Sequence, residues 1–225
     1  MVNVTDSPIR RPGVEVFEQG ASRYDTWFET ARGRAIFASE VRCLRRLSAD
    51  LPRPWIEVGV GTGRFAEALG IDVGVDPAIA PLQYAQDRGI TAAAALGQAL
   101  PFADRLFGAV FVIVTICFAD DPSGLLAEAR RVVKGDGGVV LGIVPAGSAW
   151  ARLYASKGMS GHPFYSEATF FSPGDLVSLA GSAGLRFQRS ASTLFQPPGR
   201  QTFEVEDPRD EACEEAGFVS ALLRP

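Results

Sequence analysis

Residues 56–70 read IEVGVGTGRFAEALG. A short apolar run contains an acid, Glu57, and glycine then fills alternate positions at Gly59, Gly61 and Gly63. Glycine loses more backbone entropy on folding than any other residue, so this spacing points to something that must come close to the main chain. Several loop types compete. A P-loop needs lysine and then Ser or Thr after its last glycine, and Arg64-Phe65 stands there instead. A dinucleotide fingerprint needs Gly or Ala where this chain has Arg64. Glu57 would repel a pyrophosphate and attract an ammonium group.

Working outward, Trp55–Val58 reads as a short strand and Arg64–Leu69 as a helix. Further strands are expected at 71–76, 90–95, 109–115 and 138–144. The fourth of these five strands, AVFVIVT, is a continuous apolar, mostly β-branched run, as expected of a strand buried on both faces. PAIAPLQYAQDRG, with proline at its start and glycine at its end, and DPSGLLAEARRVV read as helices between the strands. Strict alternation of strand and helix calls for a parallel sheet covered on both faces. LRFQRSASTLF (185–195) and GFVSALL (217–223) have no helix between them, which predicts an antiparallel pair closing the sheet. Before the first strand, residues 16–47 carry helical periodicity, with a break expected near Gly33.

Asp76 ends the second strand. In nucleotide-binding sheets an acid about 20 residues past the glycine loop accepts the ribose hydroxyls. A ligand with a ribose diol, a cationic head and no required phosphate meets both demands, and S-adenosylmethionine is such a molecule. Four segments carry a matching resemblance: IEVGVGTG, VGVDP, QALPFADRLFGAVF and LLAEARRVVKGDGGVVLGIV. In this order the chain resembles the class I S-adenosylmethionine-dependent methyltransferases over roughly residues 15–145, and more weakly beyond. The resemblance implies a Rossmann-like, doubly wound α/β fold, with a seven-stranded, mostly parallel sheet. It also implies that Glu57, Gly59, Gly61 and Gly63 hold the methionine end of the donor, and Asp76 with Pro77 the ribose. Leu96 is expected on the adenine face and Gln98 at its edge, with Thr115 and Tyr24 completing the donor site. The chain departs from the family pattern at Gly108, where Asp is usual, at KGDGG in place of Lys-Pro-Gly-Gly, and at Leu96, where an acid is common.

Residues 15–225 are expected to form one domain after a loosely ordered stretch, 1–14. Within it, 15–50 would be a helical lid bearing Tyr24-Asp25-x-Trp27-Phe28, and 146–175 an insertion over the active site. SGHPFYSEATFF, in that insertion, holds the sole histidine, His162, beside Tyr165. Histidine is the natural base near neutral pH. His162 is therefore the candidate base, with Tyr165 and Tyr154 as orienting hydroxyls. The bland alternatives are a surface histidine and an aromatic stripe that merely fills the core. Cys117 reads either as an acceptor-side residue or as a buried structural thiol.

The chain has 225 residues, 47% of them apolar, and a formal charge of −4. That balance argues against sequence-independent binding of nucleic acid. It lacks an apolar stretch long enough for a transmembrane helix and an apolar signal core, and its three scattered cysteines suggest reduced thiols; a cytoplasmic protein is expected. With one histidine and no paired cysteines, no metal site is expected. The expected partner is a small-molecule methyl acceptor, with the protein a monomer or homodimer. A non-catalytic S-adenosylmethionine-binding module and an NAD-dependent oxidoreductase remain alternatives.

Overall fold

A computed structural model describes residues 12–225. Most of the expected loose N-terminus lies outside the described residues, but its last part, from Pro12, is already helical. The first helices are α1 (Pro12–Trp27) and α2 (Ala31–Ser48). The break between them falls at 28–30, not at Gly33. Thr30 caps α2, its hydroxyl accepting from Gly33 N at 2.9 Å. Gly33 lies inside the helix, where a Cβ would overlap the Trp27 carbonyl, so its glycine answers to packing and not to helix termination.

The alternation then follows as β1 (Trp55–Val58), α3 (Arg64–Leu69), β2 (Val73–Asp76), α4 (Ile79–Asp87), β3 (Thr91–Ala94) and β4 (Phe107–Ile113). Next come α5 (Pro122–Val132), β5 (Val133–Ile143), α6 (Ala149–Met159), α7 (Pro173–Ser182), β6 (Arg186–Thr193), β7 (Arg209–Asp210) and β8 (Phe218–Arg224). The sheet runs β3-β2-β1-β4-β5-β8-β6-β7. β1 to β5 are parallel, while β8 is antiparallel to both β5 and β6. The sheet thus has eight strands where seven were expected. The extra strand, β7, pairs Arg209 and Asp210 with Ser192 and Ala191, and two charged residues offer no alternation to read. A short charged strand also blunts the sheet edge against unwanted pairing.

All of β4 is buried, as its continuous apolar run requires. One core packs α2, α3 and α4 on the sheet through Leu44, Phe65 and Leu82. The other packs α5 and α7 through Leu126 and Leu176. Strand order reverses between β1 and β4, and a crevice is expected outside the carboxyl ends of strands at such a point.

The departure at Gly108 has a steric cause. A Cβ there would overlap the Pro52 carbonyl oxygen, and Gly108 N donates to Pro54 O at 2.7 Å. KGDGG falls at an irregularity inside β5: Val133 pairs with Phe107 and Gly138 with Ala109, so residues 134–137 bulge out of the register with β4. Gly108→Ala is expected to destabilise the fold by about 3 kcal/mol, as overpacking against backbone does. At roughly 2–4 °C per kcal/mol for a chain of this size, Tm should fall by roughly 6–12 °C in a thermal melt.

Candidate functional site

A cavity of about 710 Å³ occupies that crevice. Its floor is the loop after β1. Gly59 and Gly63 are glycine for packing reasons: a Cβ at Gly59 would overlap the Thr115 side chain, and one at Gly63 would meet Ala85 Cα on α4 at 2.9 Å. Gly61 differs. Its φ is +51°, a Cβ there would meet nothing within 4 Å, and it lines the cavity. Gly63, expected beside the ligand, is not among the residues lining the cavity. Its left-handed backbone at the cap of α3 lets that helix pack closely on α4.

Glu57 is 1% exposed, and its Oε2 has no hydrogen-bond partner although the residue borders the cavity. Burial, reinforced by the neighbouring Asp76, raises its pKa well above the carboxylate range. An orphaned buried carboxyl is unfavourable unless a donor reaches it. Asp76 accepts Gly61 N at Oδ2 and Ala78 N at Oδ1, each at 2.9 Å. Each oxygen keeps a lone pair for another donor, so a vicinal diol fits. Burial pushes Asp76 up to about 6, against the pull of those two N–H groups. Pro77, Gln98 and Thr115 also line the cavity. Leu96 does not: Ala99 N closes a turn onto Leu96 O at 3.0 Å, and the turn presents Gly97 and Gln98 instead.

Val114, at the carboxyl end of β4, has φ +51°, an outlier for a β-branched residue. The Thr115 hydroxyl donates to Ile113 O at 3.0 Å and lies 3.3 Å from Gly59 O, so the strain fixes a residue against the glycine loop. The sequence carries no signal for this turn. Cys117 also borders the cavity, but burial pushes its thiol up to about 12, leaving it a poor nucleophile.

Aromatic residues of α1 and of the 146–175 segment close the outer wall. Phe17 packs on Phe164 at 5.1 Å and Phe118 at 5.0 Å. Tyr154 and Tyr165 stack at 4.4 Å and 12°, and His162 lies on Tyr165 at 4.5 Å. The structure thus brings the three proposed catalytic side chains together on the cavity wall. Burial, with Lys157 and Arg23 nearby, lowers the His162 pKa below 6.5, so its ring is neutral at pH 7. Burial raises both tyrosines, which therefore stay protonated and can serve only as hydrogen-bonding hydroxyls.

Three functional features escaped the sequence reading. Asp25 ties α1 to the glycine loop, its carboxylate bound by Arg64 at 2.8 and 2.7 Å and by Arg88 at 3.0 Å. Those guanidiniums hold the Asp25 pKa down even though burial alone would raise it. Glu18 accepts Ile79 N at 2.7 Å and so fastens α1 to the start of α4. Glu40 borders the cavity from α2. Its signal was present, since it shares the buried stripe of Ile36, Leu44 and Leu47 at helical spacing. Among the described residues no group of three or more His, Cys, Asp or Glu could hold a metal ion, and no helix is long and apolar enough to cross a membrane.

A model of the family described as "Methyltransferase domain" matches residues 56–141. An uncharacterized protein of Mycobacterium tuberculosis is 40% identical over 211 residues, 94% of this chain and 74% of its own length. An uncharacterized protein of Methanocaldococcus jannaschii is 32% identical over 209 residues, 92% of this chain and 97% of its own. A crystal structure of a Thermotoga maritima SAM-dependent methyltransferase, described as a possible histamine N-methyltransferase, superposes with a TM-score of 0.84. It is 32% identical, and the match covers 94% of this chain and 99% of that one.

Proposed function

The chain belongs to the class I S-adenosylmethionine-dependent methyltransferases, and on that premise we propose that it methylates a small molecule held in the aromatic half of the cavity. It is an enzyme of this type, with S-adenosylmethionine as cofactor. The observation that carries the site reading is the unpartnered Oε2 of Glu57 beside Gly61. An ammonium group supplies the missing donor. Glu57 and the Gly59–Gly61 backbone hold the methionine end, Asp76 the ribose hydroxyls, and Pro77 and Gln98 flank the base. Gly63 serves by packing on α4.

When bound, S-adenosylmethionine supplies a methyl group already activated on a sulfonium. The chain's task is position, and fixing the nucleophile in line can supply roughly 7–11 kcal/mol. Segments 15–50 and 146–175 act as lid and acceptor-side wall, excluding water from the reacting centre. His162, neutral at pH 7, takes the nucleophile's proton where there is one to lose, with Tyr165 orienting its ring. A small acceptor is supported by the bounded aromatic cavity and by the acidic charge balance. A nitrogen acceptor gains support from the description of the Thermotoga maritima neighbour. Turnover of labelled S-adenosylmethionine with a panel of small amines, phenols and thiols tests this reading. Transfer confined to protein or nucleic acid would overturn it.

The two acids make donor binding pH-dependent. Asp76 has a folded pKa raised to about 6, which falls again once it accepts ligand hydroxyls. An acid whose pKa drops on binding releases its proton, so affinity rises with pH up to the raised pKa and levels off above it. S-adenosylhomocysteine affinity should fall up to about tenfold for each pH unit below about 6. Glu57, also raised, acts in the same direction. Calorimetry in buffers of different ionisation heat should show proton release, reduced in Glu57→Gln. Proton uptake would contradict the assignment.

A further inference from the structure

One buried acid has no task in the donor site. Glu40, 9% exposed, projects from α2 into the cavity and has neither a hydrogen bond nor an ion pair among the described residues. Its charge is felt by Tyr24, Tyr154 and Tyr165, which all border the same cavity. Phe28 and Phe170 line the cavity too, Phe28 edge-on to Tyr24 at 5.2 Å and Phe170 near Tyr154 at 6.4 Å. Arg32, the cation acting on that tyrosine pair, is engaged elsewhere. It donates to Pro198 O at 2.8 Å and lies over Phe203 at 4.7 Å. Tyr24 also feels Glu57 and Asp76, and all of these side chains border the one cavity.

A buried carboxyl that shares its cavity with several aromatic side chains is suited to an organic cation: ring faces attract the charge and the carboxylate pairs with it. An apolar acceptor would leave Glu40 buried and unsatisfied. We propose that the methyl acceptor is an organic amine whose ammonium group seats against Glu40 among Tyr24, Tyr154 and Tyr165. Glu40 is then the residue that selects the acceptor class, an inference that rests on the small-molecule reading above. Without its ligand Glu40 is held near neutrality, burial pushing it up to about 8, so the arriving cation draws it into the charged form.

The test uses the full chain saturated with S-adenosylhomocysteine and matched probe pairs: 2-phenylethylamine against 2-phenylethanol, and tryptamine against its alcohol analogue. In the wild type at least one amine should bind tenfold or more tighter than its alcohol. In Glu40→Gln that preference should vanish while S-adenosylhomocysteine affinity stays within twofold. Glu40→Leu should also lose the preference while its Tm rises, because an unpaired buried carboxyl is removed; a purely structural glutamate would lower Tm. Equal binding of amine and alcohol, no binding of either amine, or a preference surviving in both variants overturns the proposal. Failure of the wild type to bind S-adenosylhomocysteine would instead overturn the donor-site reading beneath it.

Discussion

Asp76→Ala should bind S-adenosylhomocysteine at least a hundredfold more weakly than the wild type. The Asp76 carboxylate holds Gly61 N and Ala78 N at 2.9 Å each, which shapes both the glycine loop and the approach to α4. Its remaining lone pairs are assigned to two ribose hydroxyls. Hydrogen bonds to a charged group contribute about 1.5–3 kcal/mol each, so losing two removes about 3–6 kcal/mol. At 1.4 kcal/mol per tenfold, that spans roughly two to four decades of Kd. Asp76→Asn should fall between, since an amide keeps one acceptor oxygen but turns a donor toward one of the N–H groups. Calorimetric titration at pH 8 reads the difference. Wild-type affinity in Asp76→Ala would place the ribose elsewhere.

The second large effect is expected at Asp25. Its carboxylate, 13% exposed, lies between the guanidiniums of Arg64 and Arg88, which are 17% and 16% exposed. Breaking a fully buried pair by removing one partner costs 3–5 kcal/mol. Partial screening reduces this to about 3 kcal/mol. For Asp25→Ala the thermal melt should therefore fall by roughly 6–12 °C. Function should suffer as well, because Phe17, Tyr24 and Phe28 enter the cavity wall from or beside α1. With Asp25 gone, Glu18 remains as the polar tie from α1 to the start of α4. Amide exchange in α1 should accelerate and KM for S-adenosylmethionine should rise more than kcat falls. An unchanged melt with unchanged exchange would show that apolar packing alone holds the helix.

Much of this architecture was legible in the sequence because its punctuation is strong. Trp55–Val58 and Arg64–Leu69 occur at the expected bounds, set by LPRP before and the glycines between. The antiparallel close of the sheet followed from two strands lacking a crossover helix. Illegible features depend on contacts across the fold. Gly33, Gly63 and Gly108 are glycine because of neighbours at Trp27, Ala85 and Pro52 that no local pattern reveals. Leu96 was chosen by position, and a turn exchanged it for its neighbours. Glu40 was readable from helical spacing, as an acid within an apolar stripe. Asp25 was not: an aspartate among aromatics on an exposed helix carries no sign of two arginines arriving from α3 and the end of α4.

The most direct measurement is a crystal structure of the chain with S-adenosylhomocysteine bound. Its ammonium should lie within hydrogen-bond distance of Glu57, its ribose hydroxyls on Asp76, and its sulfur toward the space bounded by Tyr24, Glu40, Tyr154 and Tyr165. A ligand lying in the opposite sense, or one that leaves Glu57 Oε2 without a donor, would contradict both the donor site and the acceptor chamber derived from it.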